Sequence, residues 1–330
     1  MAWQALIDKA RLRFLDSTGF GVRGRDCPRG SRWALVFLLV LAASAGCASQ
    51  RRPGVVEDSL TSGRMVVVCA PEARDLIVRE RDAFQALYPQ ADIEVRSGTS
   101  RDAVSALFAA RCGAGVITRE LSAEERAAAV RGGLELEGYR IARDALLAVV
   151  NPSNPVQNIS LPRLRAVYSG EVLEWSQLAG AQQGIRPVIQ PMESDVTAFF
   201  IEKVMGGEAI RARVLTEDSD SAVVAHVLRD PYALGYVSLA WADRGARPLR
   251  ISPLTGLPYT RPDAETVYGG KYPVCRLFNY YVRQGGPMLA NGFVTFLTST
   301  GGQKIVHEAG FVPTSVPVRF VRRSPMLKSH

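Results

Sequence analysis

Between residues 65 and 131 short apolar runs alternate with helical periodicity, and this alternation restricts the folds open to the chain. Met65–Cys69 is an uninterrupted apolar run of the length a buried strand needs. Ala73, Leu76, Ile77, Phe84 and Leu87 then recur at helical spacing until Tyr88-Pro89 stops the pattern. Ile93–Val95 reads as a second strand. Ser97–Ser100 is a turn that starts a helix carried by Val104, Leu107 and Phe108. Gly115–Thr118 gives a third strand, and Ser122 with Glu125 opens a further helix as a capping box. Strand, helix, strand, helix, strand predicts a doubly wound α/β arrangement with a parallel sheet. Ligands of such sheets bind outside the carboxyl ends of the strands. Here those ends are the loops Ala70–Asp75, Ser97–Arg101 and Thr118–Glu120.

The pattern stops at a strand over Ala145–Val150 and restarts after Asn151-Pro152-Ser153-Asn154-Pro155, a cluster of chain breakers. Leu161, Leu164, Val167 and Tyr168 share one helical face, with Ser160 as cap. Pro187–Gln190, a helix through Phe199–Val204, a helix near Ala222–Leu228 and a strand at Gly235–Ser238 form a second α/β unit. Tyr272–Val282 reads as a long strand. The chain then turns helical over Met288–Leu297 and Gln303–Glu308, closed by Gly310.

A length of 330 residues accommodates two such units, each with its own core. The formal charge of +8 hints at an acidic partner, but its distribution removes the hint. Residues 34–45 form an uncharged apolar run preceded by Arg23, Arg25, Arg29 and Arg32, the pattern of an export signal. Without residues 1–46 the chain holds 33 basic and 29 acidic side chains, with no basic stripe, and a nucleic-acid partner is not expected. Of the five cysteines, Cys27 falls within the signal and Cys47 directly follows it as the candidate lipid site; Cys69, Cys112 and Cys275 remain, an odd set without a Cys-x-x-Cys pair. Buried free thiols are the expectation, and no metal or cofactor is implied.

Signatures of catalysis are missing. The three histidines, His226, His307 and His330, stand apart, and there is no His-Glu-x-x-His, no Gly-x-Ser-x-Gly and no P-loop. An enzyme is not expected; the only acid–base pair available for one is Glu72 with Asp195. What recurs instead is hydroxyl-rich turns before helices: Ser97-Gly98-Thr99-Ser100, Thr118-Arg119 and Ser194-Asp195-Val196-Thr197. Helix N-termini present unpaired N–H groups and the positive end of the dipole, so several facing one cleft make an oxyanion site. Each, taken singly, is equally a plain N-cap.

The segment Arg143–Pro155, continuing through Val167-Tyr168-Ser169-Gly170-Glu171 to Trp175-Ser176-Gln177-Leu178, resembles the hinge and second-lobe start of the phosphate-binding proteins of ABC transporters. Gly115–Leu121, Leu234–Val237, Tyr272–Arg276 and Gly301–Pro313 resemble the same family in the same order. The resemblance implies an α/β, two-lobed type II periplasmic binding protein fold, each lobe a doubly wound sheet flanked by helices. It divides the chain into a signal peptide (1–46), a lipid-anchored tether (47–63), lobe one (64–148 and 272–320), lobe two (149–271) and a tail (321–330). Ser44-Ala45-Gly46-Cys47 resembles a bacterial lipoprotein cleavage box, with Cys47 as the acylated residue.

The function implied is an exported, lipid-anchored, monomeric solute-binding protein of the bacterial envelope. It would capture phosphate or a similar small inorganic anion between its lobes and deliver it to an ABC permease. Carried over residue by residue, the ligand set is Ser100 with Thr99, Thr118, Ser194, Asp195, Thr197, Glu72 and Arg101. The family's arginine before the lobe-two serine is Gln190 here, and its proton-accepting aspartate falls near Gly113. Glu72 and Asp195 place carboxylates where the anion is expected, and at low dielectric they would repel it. Arg74, Arg101 and Arg119 are the candidate replacement cations. The alternative is a binding-protein fold repurposed as an envelope interaction or sensory module without phosphate binding.

Overall fold

The computed structural model describes residues 57–314. The expected signal, the tether up to residue 56 with Cys47, the end of lobe one from 315 and the tail lie outside the described residues. The first strand, β1 (Gly63–Cys69), alternates inward Met65, Val67 and Cys69 with outward neighbours. It pairs in parallel with β2 (Ala91–Ser97) on one side and β3 (Ala114–Ile117) on the other. Helix α1 (Pro71–Leu87) connects β1 to β2; it buries Ala73, Leu76, Ile77 and Phe84 and begins on a proline, whose missing N–H costs nothing in a first turn. Helix α2 (Ser100–Phe108) is closed at its start by a Thr99/Asp102 capping box, and α3 (Ala123–Arg131) by the expected Ser122/Glu125 box.

The organising element is β4 (Leu136–Val150), fifteen residues long. Its first part, Leu136–Ala145, pairs antiparallel with β11 (Cys275–Arg283), and its last part, Leu146–Val150, pairs antiparallel with β8 (Ala233–Ser238). One strand therefore carries the chain from one half of the sheet to the other. The strand order is β2-β1-β3-β11-β4-β8-β6-β7, with β6 at Arg186–Ile189 and β7 at Leu215–Thr216. Two short strands, β5 (Asn158–Ser160) and β10 (Arg250–Ser252), pair apart from it, β9 (Arg247–Pro248) joins β4, and β12 (Val312–Pro313) pairs with β4 near its middle.

Two apolar cores flank this crossing. The first joins β1–β3, α1, β11 and α8 (Met288–Thr298) around Phe84, Phe278 and Phe293. The second surrounds Tyr168, Trp175, Phe200 and Tyr236. It is built from α4 (Leu161–Ser169), α5 (Asp195–Lys203), α6 (Asp220–Arg229) and the second half of the sheet, and its Phe200 and Tyr236 rings stack at 4.3 Å. Ile141 and Ala142 belong to the first core and Ala145 to the second, so the change occurs within three residues of β4. Helix α7 (Ala264–Tyr268) precedes the return crossing, and α9 (Thr300–Glu308) ends at Ala309 with Gly310 in the left-handed region (φ +86°), as the sequence predicts.

Three expectations need correction. The strand read as Tyr272–Val282 begins at Cys275, because Pro273 has no N–H for a ladder. Tyr272 and Val274 instead pack in the second core. The Asn151–Pro155 cluster is not the joint between the halves: Asn151 Nδ2 donates to Val227 O and Leu228 O, both at 3.0 Å, and Asn154 Nδ2 donates to Pro231 O, fixing the segment to the second half. Gly113 sits before β3, against Met65 and Pro287, at the opposite end of the strand from Thr118, so its lack of a carboxylate takes nothing from the cleft.

Candidate functional site

The crossing strands carry the one fully buried ion pair among the described residues. Asp144 on β4 and Arg276 on β11 are opposite each other in the ladder. The Arg276 Nε donates to Asp144 Oδ2 at 2.9 Å, with Nη2 2.8 Å from the same oxygen; the two side chains are 1% and 0% exposed. Asp144 Oδ1 accepts the Ser238 hydroxyl at 2.8 Å and the Leu239 N–H at 3.1 Å. The guanidinium lies between the rings of Phe199 and Phe278, 5.6 and 5.5 Å from their centroids, one from each core. Burial opposes its charge, but Asp144 and Glu72 outweigh burial and keep Arg276 protonated. Its Nη1 has no partner.

Three further carboxylates surround this pair, each on the first turn of a helix. Glu72 stands on the first turn of α1, with Oε2 buried and unpartnered. Burial pushes its carboxyl above the usual range; Arg276 opposes that, and Asp195 and Asp144 add to it. Part of Asp220 reaches solvent, but its carboxyl is enclosed at the start of α6, and burial raises it to about 7 against the pull of Arg276. Its Oδ1 accepts Gln190 Nε2 at 2.8 Å and Ser238 N at 3.3 Å. Gln190, where an arginine was expected, is thus a neutral donor to a neighbouring carboxyl. Asp195, first residue of α5, accepts the backbone N–H of Ser100 on Oδ2 at 2.6 Å across the gap between the two cores.

The hydroxyl residues fare unevenly. Ser100 is fully buried, and its Oγ accepts Thr118 N at 3.3 Å. Thr99 is the cap of α2, exchanging hydrogen bonds with Asp102. Ser194 caps α5 by accepting Thr197 N at 3.2 Å. Thr197 is buried; its hydroxyl donates to Gln190 O at 3.0 Å and lies 2.6 Å from the Tyr236 hydroxyl, so it is spent inside the second core. Of the candidate cations, Arg101 is exposed on α2, Arg74 is exposed beside Asp75, and Arg119 is held bidentately by Glu125 at 2.6 and 2.7 Å. The structure therefore brings Ser100, Thr118, Asp195 and Glu72 together and leaves Arg101 and Thr197 outside. A cavity of about 560 Å³ borders this region, lined by Thr118, Arg143, Phe199, Lys203 and Arg276, a size suited to a small-molecule ligand.

Sequence reasoning missed Asp144, Arg276 and Asp220. The available signal was charge inside apolar strands: Asp144 interrupts Ile141–Val150 and Arg276 interrupts Val274–Val282. The three cysteines among the described residues are free, as expected, though only Cys69 is fully buried and Cys112 and Cys275 are half-buried; burial raises each thiol, Cys69 to about 12 and Cys112 and Cys275 to about 11. Among the described residues no cluster of His, Cys, Asp and Glu is fit to hold a metal, and no helix is long and apolar enough to cross a membrane.

Two lobes joined by crossing strands, with helix N-termini converging from both on a central gap, define a two-lobed binding protein. The family model of the PBP superfamily domain matches residues 59–300, and the chain belongs to that superfamily. The phosphate-binding protein PstS of Bacillus subtilis is 26% identical over 286 residues, 84% of this chain and 91% of the relative. That of Pseudomonas aeruginosa is 21% identical over 306 residues, 86% of this chain and 94% of the relative. Among solved structures, a Clostridium perfringens protein with bound phosphate matches at TM-score 0.66 and 20% identity, over 77% of this chain and all of the other. An ABC-type phosphate transport receptor from Vibrio cholerae matches at TM-score 0.65 and 20% identity, over 75% and 99%. The family is one of substrate-binding proteins and not of enzymes.

Proposed function

We propose that this chain is the solute-binding component of an ABC importer and captures phosphate or a similar small oxyanion between its lobes. The relatives called phosphate-binding proteins support the reading over most of the chain. The observation that carries it is the Asp195–Ser100 contact: an oxyanion, supplied here by a side chain, rests on a backbone donor of α2 and bridges the two lobes. A solute bound at that point gains contacts only when the lobes are together. Its differential affinity for the closed state drives closure, with β4 and β11 as the bending strands.

The lobe boundaries in this reading fall at Ala145/Leu146 and Val274/Cys275, where strand pairing changes; this shifts the expected limits by three residues each. Ser100 and Thr118 from lobe one, with Ser194 and Asp195 from lobe two, form the contact set. Export as a monomer anchored through an acylated Cys47 completes the proposal; the native protein is expected in the membrane fraction and Cys47→Ala in the soluble one, and identical fractionation of the two overturns the anchor. The ligand is tested by calorimetry of the purified protein with phosphate, sulfate and other oxyanions. A saturable signal for one of them supports the reading. Silence for all overturns it in favour of an envelope interaction or sensory module, which the carboxylates Glu72 and Asp195 in the cleft favour.

A further inference from the structure

Asp195 is singled out by the lobe in which its carboxylate lies. The residue belongs to α5, held in the second core by Val196, Phe199 and Phe200. Its Oδ2 nevertheless takes the N–H of Ser100, the first residue of α2, whose Ala103 and Val104 pack with Ile117 and Leu121 of the first lobe. Two other donors of that helix start are used locally: Thr99 N goes to Asp102 Oδ2 at 3.0 Å, and Asp102 N to Thr99 Oγ1 at 3.2 Å. The Ser100 hydroxyl oxygen accepts Thr118 N at 3.3 Å. A helix N-terminus attracts an anion through its free N–H groups and dipole, and in this chain the anion present is its own. The nearby Glu72 carboxyl, with an oxygen buried and unpartnered, adds a second acceptor where a bare oxyanion would have to come in.

We propose that Asp195 is a resident anion that latches the two lobes and sets the specificity of the cleft by competing with the incoming solute. Before an oxyanion can take the Ser100 N–H, the carboxylate has to leave it and move away from a group of like charge. Native affinity for fully ionised oxyanions is therefore weak, and the ligand-free lobes are held closer together than a bare cleft would hold them. The latch stands on the geometry alone; the competition rests on the anion-capture reading above.

Three proteins separate the two halves of the inference: the native chain, Asp195→Gly and Asp195→Asn. Each is measured without ligand by small-angle X-ray scattering and titrated with inorganic phosphate and with sulfate by calorimetry. Asp195→Gly removes carboxylate and bridge; its ligand-free radius of gyration is expected to rise and its phosphate affinity to increase about tenfold to a hundredfold, the range spanned by a charge-assisted hydrogen bond. Asp195→Asn keeps an oxygen that accepts from Ser100 N–H but not the charge, so its radius of gyration is expected to match the native one while affinity rises by a smaller factor. An unchanged radius of gyration for Asp195→Gly overturns the latch. Unchanged phosphate affinity in both variants, with binding present in all three proteins, overturns the competition. No oxyanion binding in any of the three, together with an expanded Asp195→Gly, leaves the latch standing and overturns both the competition and the anion-capture reading. If the glycine variant fails to fold, an Asp195→Asn protein with native phosphate affinity is sufficient to overturn the competition.

Discussion

Single residues at the crossing explain why this molecule tolerates so much buried charge. Asp144 and Arg276 are withdrawn from water, and a pair like that contributes little in net terms while being costly to break. Asp144→Ala strands the guanidinium between Phe199 and Phe278 and leaves the Ser238 hydroxyl and Leu239 N–H without their acceptor. It is expected to lower stability by about 3–5 kcal/mol in urea unfolding; a loss below about 1 kcal/mol would mean water replaces the carboxylate there.

Glu80 gives a second residue-scale test. Its side chain lies on the buried face of α1, both carboxyl oxygens lack partners, and burial raises it to about 9. The folded protein then holds a proton that the unfolded chain releases in the ordinary glutamate range, so stability falls as pH rises from that range towards about 9 and levels off above it. Glu80→Gln removes this slope. The stability difference between variant and native protein is expected to grow between pH 5 and pH 9; a constant difference contradicts it.

Elements show what could be read in advance and what could not. The helix starts at Thr99, Ser122 and Ser194 were legible because capping needs only a short polar side chain at a fixed offset from the apolar run. The same legibility does not extend to function: Thr99 and Ser194 cap their helices and Thr197 bonds inside the second core, and nothing local separates a cap from a ligand. The first part of β4 was missed because Glu137, Gly138 and Arg140 turn to solvent and dilute the apolar signal. The start of β11 was read too early because Tyr272 and Val274 are as apolar as a strand, and only the proline between them says otherwise. Asp144 and Arg276 are 132 residues apart in sequence, and their pairing exists only through the register of β4 with β11.

Gly310 is the place where an element end is dictated by backbone. Its φ is +86°, and a Cβ there would stand 2.9 Å from Ala240 Cα. Gly310→Ala combines a left-handed penalty of about 1–2 kcal/mol with that collision, and thermal unfolding is expected to show a drop of at least several degrees. An unchanged melting temperature contradicts the tight packing of the α9 end against the segment after β8.

At the scale of the whole molecule, two cores share one sheet; β4 and β11 run from one to the other, and beside them Phe311 packs in the first core and Val312 in the second. A joint made of two strands bends at a few residues while both cores keep their packing, which suits a protein that alternates between open and closed forms. The proposed anion position lies beside that joint, where Ser100 and Asp195 bring the two halves within hydrogen-bond distance. Inward charge at the joint is also what the anion must contend with: three carboxyls, Glu72, Asp144 and Asp220, face one buried arginine, and Asp195 faces Glu72. Burial holds Glu72 and Asp220 towards their neutral forms, so the cleft is less hostile to an anion than its composition suggests. As pH rises past about 7, Asp220 ionises, and oxyanion affinity is expected to weaken between pH 6 and pH 8; affinity that strengthens over that range contradicts this account.

The most direct test of solute capture between the lobes is a calorimetric titration of the purified native protein with inorganic phosphate, with scattering recorded at both ends of the titration. The account predicts a saturable one-site heat and a radius of gyration in the bound state no larger than in the free state. No heat for phosphate, sulfate or any other oxyanion at millimolar concentration would contradict it.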